Sequence, residues 1–285
     1  MTGNSYSQNF DIQGHRGCRG ILPENSIPAF KKALELGVTT IELDVVVSKD
    51  QKIVVSHEPY FSAGICSGPE GKVITDENEK TYNIYQLNYE EIKGFDCGSK
   101  GNSRFPEQEK MVVYKPLLEE VIKMSEEYCS EIGRKPPSYN IELKSLEEQY
   151  QTYQPVPKKF CDLVFDVIRN LVPVTRITIQ SFDHEVLRYW KISYPQYEIA
   201  LLEGSISNPD KAIRELGFDP DIYSPYYKLL NQKKVRDLFD REIKVIPWTV
   251  NEKEDMKELV EWGVNGLITD YPDRFAELYP EKMAQ

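Results

Sequence analysis

Histidine and tryptophan are scarce in this chain, and positive charge is outnumbered. Three His and three Trp occur in 285 residues, and 35 Lys and Arg face 46 Asp and Glu, for a formal net charge of −11. Nucleic-acid phosphates are neutralised by a basic surface, so this balance argues against nucleic acid as a partner. It still allows a small phosphate ligand held by a few local cations or a metal. The five cysteines (Cys18, Cys66, Cys97, Cys129 and Cys161) are widely spaced and make no CxxC pair. A dense disulfide framework is thereby excluded and a structural zinc site disfavoured, with one bridge, Cys66 to Cys97, left open. No run approaches the roughly 18 apolar residues of a membrane-spanning helix, so no integral membrane segment is expected. Met1 to Phe10 shows neither the basic nor the apolar region of a signal peptide. A trimmed leader would look the same, so cytoplasmic, periplasmic and secreted locations all stay open, as does oligomeric state.

What is present is an alternation. Strand-like runs at 12–17, 39–47, 53–57, 139–144, 175–180, 197–202, 221–224, 243–250 and 266–270 are separated by amphipathic, helix-like segments. The first of these, 25–36, carries Ile27, Phe30 and Leu34 on one face and ends at Gly37. Strand followed by helix, repeated about eight times in a chain of this length, predicts an α/β fold, a (β/α)8 TIM barrel in one domain. The stretch 59–114 breaks the pattern, being rich in Gly, Pro, Asn, Lys and Glu without a helical period. It reads as a small insertion between an early strand and its following helix, placed over the active-site face.

Four short segments at predicted strand ends carry chemistry. They are His15-Arg16-Gly17 (with Pro23-Glu24-Asn25-Ser26 behind it), Ile41-Glu42-Leu43-Asp44, His57-Glu58-Pro59 and Ile141-Glu142-Leu143-Lys144. Residues i and i+2 of a strand share a face, so Glu42 projects with Asp44 and Glu142 with Lys144. Ionised groups on a barrel strand are costly unless paired or bound to a cation. Three carboxylates converging on one point call for a cation among them, and an all-oxygen donor set suits Mg²⁺ or Ca²⁺.

Together these segments resemble the glycerophosphodiester phosphodiesterases, a family of metal-dependent TIM-barrel hydrolases. The likeness runs in order through 15–17, 23–26, 41–50, 54–57, 140–144, 180–183, 247–251 and 266–273. It implies that His15 and His57 act as a general acid/base pair, and that Glu42, Asp44 and Glu142 bind one divalent cation. Arg16 and Lys144 would contact phosphate, and Trp248 would wall the substrate pocket. The implied reaction takes a small-molecule glycerophosphodiester to an alcohol and glycerol 3-phosphate, through attack by the adjacent glycerol hydroxyl and a cyclic phosphate.

Other positions read as scaffold. Asn25 is expected to cap the first helix and Asp270 the last. Glu24 lies within reach of the mouth, Gln180 would line it, and Glu58 would assist the metal or orient His57. His184 falls at the start of a helix and reads as structural. Two rival readings share these residues: a phospholipase D-like enzyme cleaving lysophospholipids, and a non-catalytic barrel that binds phosphorylated ligands. The charged, tyrosine-rich insertion lacks the apolar cluster that the first rival would use at a membrane. The presence of both histidines and all three carboxylates speaks against the second.

Overall fold

The computed structural model describes residues 10–284; the expectation about a leader falls almost wholly outside them. The strands are β1 (Asp11–Gly14), β2 (Thr40–Val47), β3 (Ile53–Val55), β4 (Ser138–Leu143), β5 (Ile177–Ser181), β6 (Glu198–Glu203), β7 (Ile222–Pro225), β8 (Lys244–Val245) and β9 (Gly266–Thr269). The α-helices are α1 (Ile27–Glu35), α2 (Tyr89–Ile92), α3 (Leu118–Glu131), α4 (Pro157–Ile168), α5 (His184–Ser193), α6 (Pro209–Leu216), α7 (Gln232–Phe239), α8 (Lys253–Trp262) and α9 (Pro272–Leu278). All strands but β3 run parallel in the order β8-β7-β6-β5-β4-β2-β1-β9. The seam between the two ends of that path is closed by single backbone bonds. Asn265 N donates to Val245 O, Ile268 N to Pro247 O and Val250 N to Ile268 O, each at 2.9 Å. The result is a nearly closed (β/α)8 TIM barrel.

One expected barrel strand lies outside the barrel. β3 pairs antiparallel with the end of β2, Val45 opposite Val55 and Val47 opposite Ile53. The five residues from Ser48 to Lys52 allow only a hairpin, because a parallel neighbour needs a crossover of a dozen residues or more. His57 therefore arrives at the barrel mouth on a hairpin arm.

The two faces of β2 show how the sequence sorts itself. Ile41, Leu43, Val45 and Val47 join the main apolar core beneath the helices, with Phe30, Leu34, Val121, Ile141 and Leu143. The alternate face points into the barrel: Gln180 of β5 reaches across to Glu42 at 2.7 Å, and Asn140 of β4 joins Gln13 and Gln180. Beside them, Ala200, Ile222, Ile246 and Ile268 make an apolar cluster, Ala200 in register with Gln180 and Ile268 with Gln13. The interior is thus divided by side, polar on β1, β2, β4 and β5 and apolar on the strands that follow.

Helix α1 starts at Ser26, whose hydroxyl accepts from Ala29 N, so Ser26 and not Asn25 is the cap. Asn25 sits at φ 54° and turns its side chain to the barrel instead. In the β1–α1 loop Gly17 has φ +89°, and a Cβ there would lie 2.7 Å from the Ala29 backbone, so only glycine fits.

Between β3 and α3 the chain builds a small lobe of short turns with α2. Phe61, Ile74, Ile84, Ile92 and Phe95 pack with Val46 and Val54 of the hairpin, and Phe61 stacks on Phe95 at 3.6 Å. Cys66 and Cys97 form a disulfide inside this lobe. Cys18, Cys129 and Cys161 are free and fully buried, and burial pushes the Cys18 thiol up to about 12. Native protein should therefore show no thiol reactive towards Ellman's reagent, rising to three after denaturation alone and five after denaturation with reduction. A reactive thiol in the native state, or five without reductant, would contradict this arrangement.

Candidate active site

The carboxyl ends of the barrel strands carry the polar residues, where loops can hold a site open to solvent. Glu42 and Asp44 project from β2 and Glu142 from its neighbour β4, with Asp44 and Glu142 in register. One oxygen from each lies within 4.8 Å of the others, and all three residues are buried. Glu42 accepts from Gln180 Nε2 (2.7 Å) and from the backbone N–H of Arg16 (2.9 Å). That amide faces Glu42 because Arg16 adopts φ 52° directly before Gly17. Asp44 Oδ2 accepts from Asn25 Nδ2 at 2.8 Å and pairs with Arg16 Nε at 3.1 Å. Asp44 Oδ1 has no hydrogen-bond partner, and Lys144 Nζ stands 3.9 Å away from it. Lys144 donates to Glu142 at 2.6 Å.

The electrostatics follow from this crowding. Burial, Asp44 and Glu142 push the Glu42 carboxyl well above the usual carboxylate range. Burial also raises Glu142, despite Lys144. Asp44 is held low: burial opposes its charge, but Arg16, His57 and Lys144 outweigh it. Three carboxylates with an unpartnered buried oxygen form an electron-rich, all-oxygen pocket, which a hard divalent cation would satisfy.

Each histidine has its Nδ1 against a carboxylate. His15, following β1, meets Asp270 Oδ1 at 2.6 Å, and His57 meets Glu58 Oε1 at 2.7 Å. With Nδ1 donating, the neutral ring keeps its Nε2 lone pair free for a proton. His57 acts electrostatically on Asp44 and Glu142, which places it beside the carboxylate cluster. Trp248 follows β8 at the mouth. Its Nε1 donates to Ser224 O at 2.8 Å, and its ring meets Phe182 edge-on at 5.6 Å. Lys144 Nζ stands 5.8 Å from the Phe182 ring centre, so the aromatic wall continues to the cation.

Four side chains, Asn25 among them, depart from the sequence reading or escaped it. Asp270 does not cap α9, whose first turn is preceded by Tyr271 without a side-chain cap. Its carboxylate instead holds His15, Arg19 Nε (2.6 Å) and Asn251 Nδ2 (2.7 Å). Pro272 sets the helix start one residue later than a Thr-Asp-Tyr-Pro cap would need, and that offset was the available signal. Arg19 and the buried Lys115, which donates to Ser56 Oγ at 2.8 Å, carry no motif spacing and were not anticipated. Gln180 is in register with Glu142, donates to Glu42 and accepts from Asn140. Of the residues near the mouth, Glu24 bonds Arg16 Nη1 at 2.6 Å and Glu58 orients His57.

Burial first, then Arg19, hold the His15 imidazole down at about 4 against the pull of Asp270. Between that value and the ordinary 6.5 an unfolded chain binds a proton that the native state refuses. The stability His15 contributes is therefore complete above about pH 6.5 and is lost as pH falls towards 4, to the extent of about 3 kcal/mol. Thermal melts should show a steeper loss of Tm across that window for the wild type than for His15→Asn, and parallel curves would refute it.

The comparisons with known proteins place the chain in a family. The model of the Glycerophosphoryl diester phosphodiesterase family matches residues 15–274. A glycerophosphodiester phosphodiesterase of Caldanaerobacter subterraneus subsp. tengcongensis is 32% identical over 269 residues, covering 94% of this chain and 96% of the relative. A solved structure from Silicibacter pomeroyi DSS-3, assigned to the same family, superposes with a TM-score of 0.85 at 26% identity, over 98% of this chain and 96% of that one. An Oleispira antarctica phosphodiesterase, solved with the product sn-glycerol-3-phosphate, superposes with a TM-score of 0.74 at 21% identity, over 97% and 98% of the two chains. The family match spans both histidines, all three clustered carboxylates and Asp270, and with it the chain belongs to the glycerophosphoryl diester phosphodiesterase family.

Proposed function

We infer that this chain hydrolyses water-soluble glycerophosphodiesters to an alcohol and glycerol 3-phosphate. In this reading Glu42, Asp44 and Glu142 hold one divalent cation, Mg²⁺ or Ca²⁺. The observation that carries it is the convergence of three buried carboxylates, one oxygen of which has no partner, beside two imidazoles with locked Nδ1 atoms. When bound, the cation would polarise a phosphoryl oxygen and orient the substrate.

The protein's own groups do the rest. Lys144 and Arg16 each keep N–H donors beyond those spent on Glu142, Glu24 and Asp44, and these would meet the phosphoryl oxygens as charge gathers there. The glycerol hydroxyl next to the phosphate attacks phosphorus and gives its proton to one imidazole Nε2. The bond from phosphorus to the leaving oxygen breaks, and the other ring, which enters the reaction as the imidazolium, gives its Nε2 proton to that oxygen, releasing the alcohol. Water then opens the cyclic phosphate with the two histidines exchanging roles, so one water is consumed and both rings return to their starting state. Asp270 and Glu58 keep each ring in the tautomer that this exchange needs. Trp248 would cover the glycerol moiety, and the lobe 59–114 would lie over the mouth where the alcohol departs.

The test is turnover of glycerophosphocholine coupled to detection of glycerol 3-phosphate. EDTA should abolish the signal, and Mg²⁺ or Ca²⁺ should restore it. His15→Ala and His57→Ala should each lower kcat by about 10²- to 10⁴-fold with circular dichroism unchanged. Full activity in either variant would remove the histidine from the mechanism, and an EDTA-insensitive rate would remove the metal. Absence of product from choline, ethanolamine, glycerol and inositol diesters alike would sink the reading as a whole.

A further inference from the structure

Asp270 Oδ1 serves two donors at once: His15 Nδ1 and Arg19 Nε both lie 2.6 Å from it. Its other oxygen accepts from Asn251 Nδ2 at 2.7 Å, while Asn251 Oδ1 accepts from the Asp270 backbone N–H at 3.0 Å. Both oxygens of the carboxylate are thus held by donors other than the imidazole. Arg19 is itself buried and held on three sides. Its guanidinium faces Glu24 Oε2 at 3.7 Å and lies 5.0 Å from the centre of the Phe105 ring, and its carbonyl accepts from Gln108 Nε2 at 2.6 Å. The next residue but one to Cys18, Gly20, donates its N–H to Asp270 O at 3.0 Å. A Cβ on Gly20 would sit 2.3 Å from the Tyr271 ring, so the loop lies flat against the chain that carries Asp270. Phe105 also meets Tyr271 edge-on at 6.2 Å.

We propose that Arg19 is a positioning residue for His15, acting through Asp270, and that the lobe between β3 and α3 holds Arg19 in that place through Phe105 and Gln108. The inference rests on the reading that His15 transfers a proton. A carboxylate bonded only to an imidazole is free to rotate and to draw the ring towards its protonated form. A second cation on the same oxygen fixes the carboxylate and opposes the charge on the ring, so the imidazole is both aimed and kept neutral. The charged groups facing His15 are Asp270 from the end of β9 and Arg16 and Arg19 from the β1–α1 loop; of these, Arg19 is joined to the lobe.

Arg19→Met, Arg19→Gln and Arg19→Lys in the full-length, metal-loaded enzyme test this. With the melting transition retained, Arg19→Met should lose about 10- to 100-fold in kcat, with KM for glycerophosphocholine within about two-fold of wild type. The limb of the kcat/KM profile that belongs to His15 should move to higher pH, because the nearer of the two cations that oppose Asp270 is then gone, while Arg16 and burial remain. Arg19→Lys keeps the charge and should return the limb towards its wild-type position. Gln108→Leu should shift kcat in the same direction as Arg19→Met, by less. A wild-type kcat and pH profile in Arg19→Met would overturn the proposal, as would an effect confined to KM, which would make Arg19 a substrate contact. If neither Arg19→Met nor Arg19→Gln folds, Arg19 is structural and the proposal also fails. His15→Asn in the same assay separates the two levels. A fully active His15→Asn defeats the two-histidine reading, whereas an inactive His15→Asn beside a normal Arg19→Met defeats only the role of Arg19.

Discussion

Three carboxylates share one buried point inside a barrel, and the surrounding polar structure answers that repulsion. Positive or donor groups meet the cluster from several directions: the Arg16 guanidinium and amide from the β1–α1 loop, Lys144 from the end of β4, Asn25 from the start of α1 and Gln180 from the adjoining strand β5. These supports do not exhaust the acids. Asp44 Oδ1 is left without a partner and Glu42 resists ionisation, a cost that a divalent cation would relieve. The same demand explains backbone choices that local propensity would not favour. Arg16 and Asn25 both take positive φ, and each thereby turns a donor towards the acids.

The histidines stand on a second tier of carboxylates. Asp270 and Glu58 are each held ionised despite burial, which works against their charge; His15 and Arg19 stabilise the one, His57 and Arg16 the other. The lobe after β3 reaches both tiers. Gln108 and Phe105 hold Arg19 behind Asp270, while Lys115 bonds Ser56, whose hydroxyl in turn donates to the Glu58 carbonyl at 2.6 Å. A segment that looks like surface decoration by composition is therefore wired to the supports of both imidazoles. Its disulfide and its stacked phenylalanines give it the rigidity to do so without a long helix.

The sequence by itself determined the repeating strand–helix order, the faces of β2 and β4 and the convergence of their acidic residues. These follow from period-two and period-3.6 patterning and from the fact that i and i+2 on a strand share a side. It also marked both histidines, because each closes a short extended run beside a glycine or proline. Tertiary structure alone decided which distant residues stand behind them. Asp270 is 255 positions from His15 and Gln108 is 89 from Arg19, and no local pattern encodes a partner brought in by barrel closure or by a folded lobe. It decided as well that β3 is a hairpin arm and that Asn25 faces Asp44 while Ser26 caps α1, since a capping residue and an inward-turned one look alike until the loop is folded. Periodicity reports the side a residue faces, whereas its hydrogen-bond partner is fixed only when the chain closes around it.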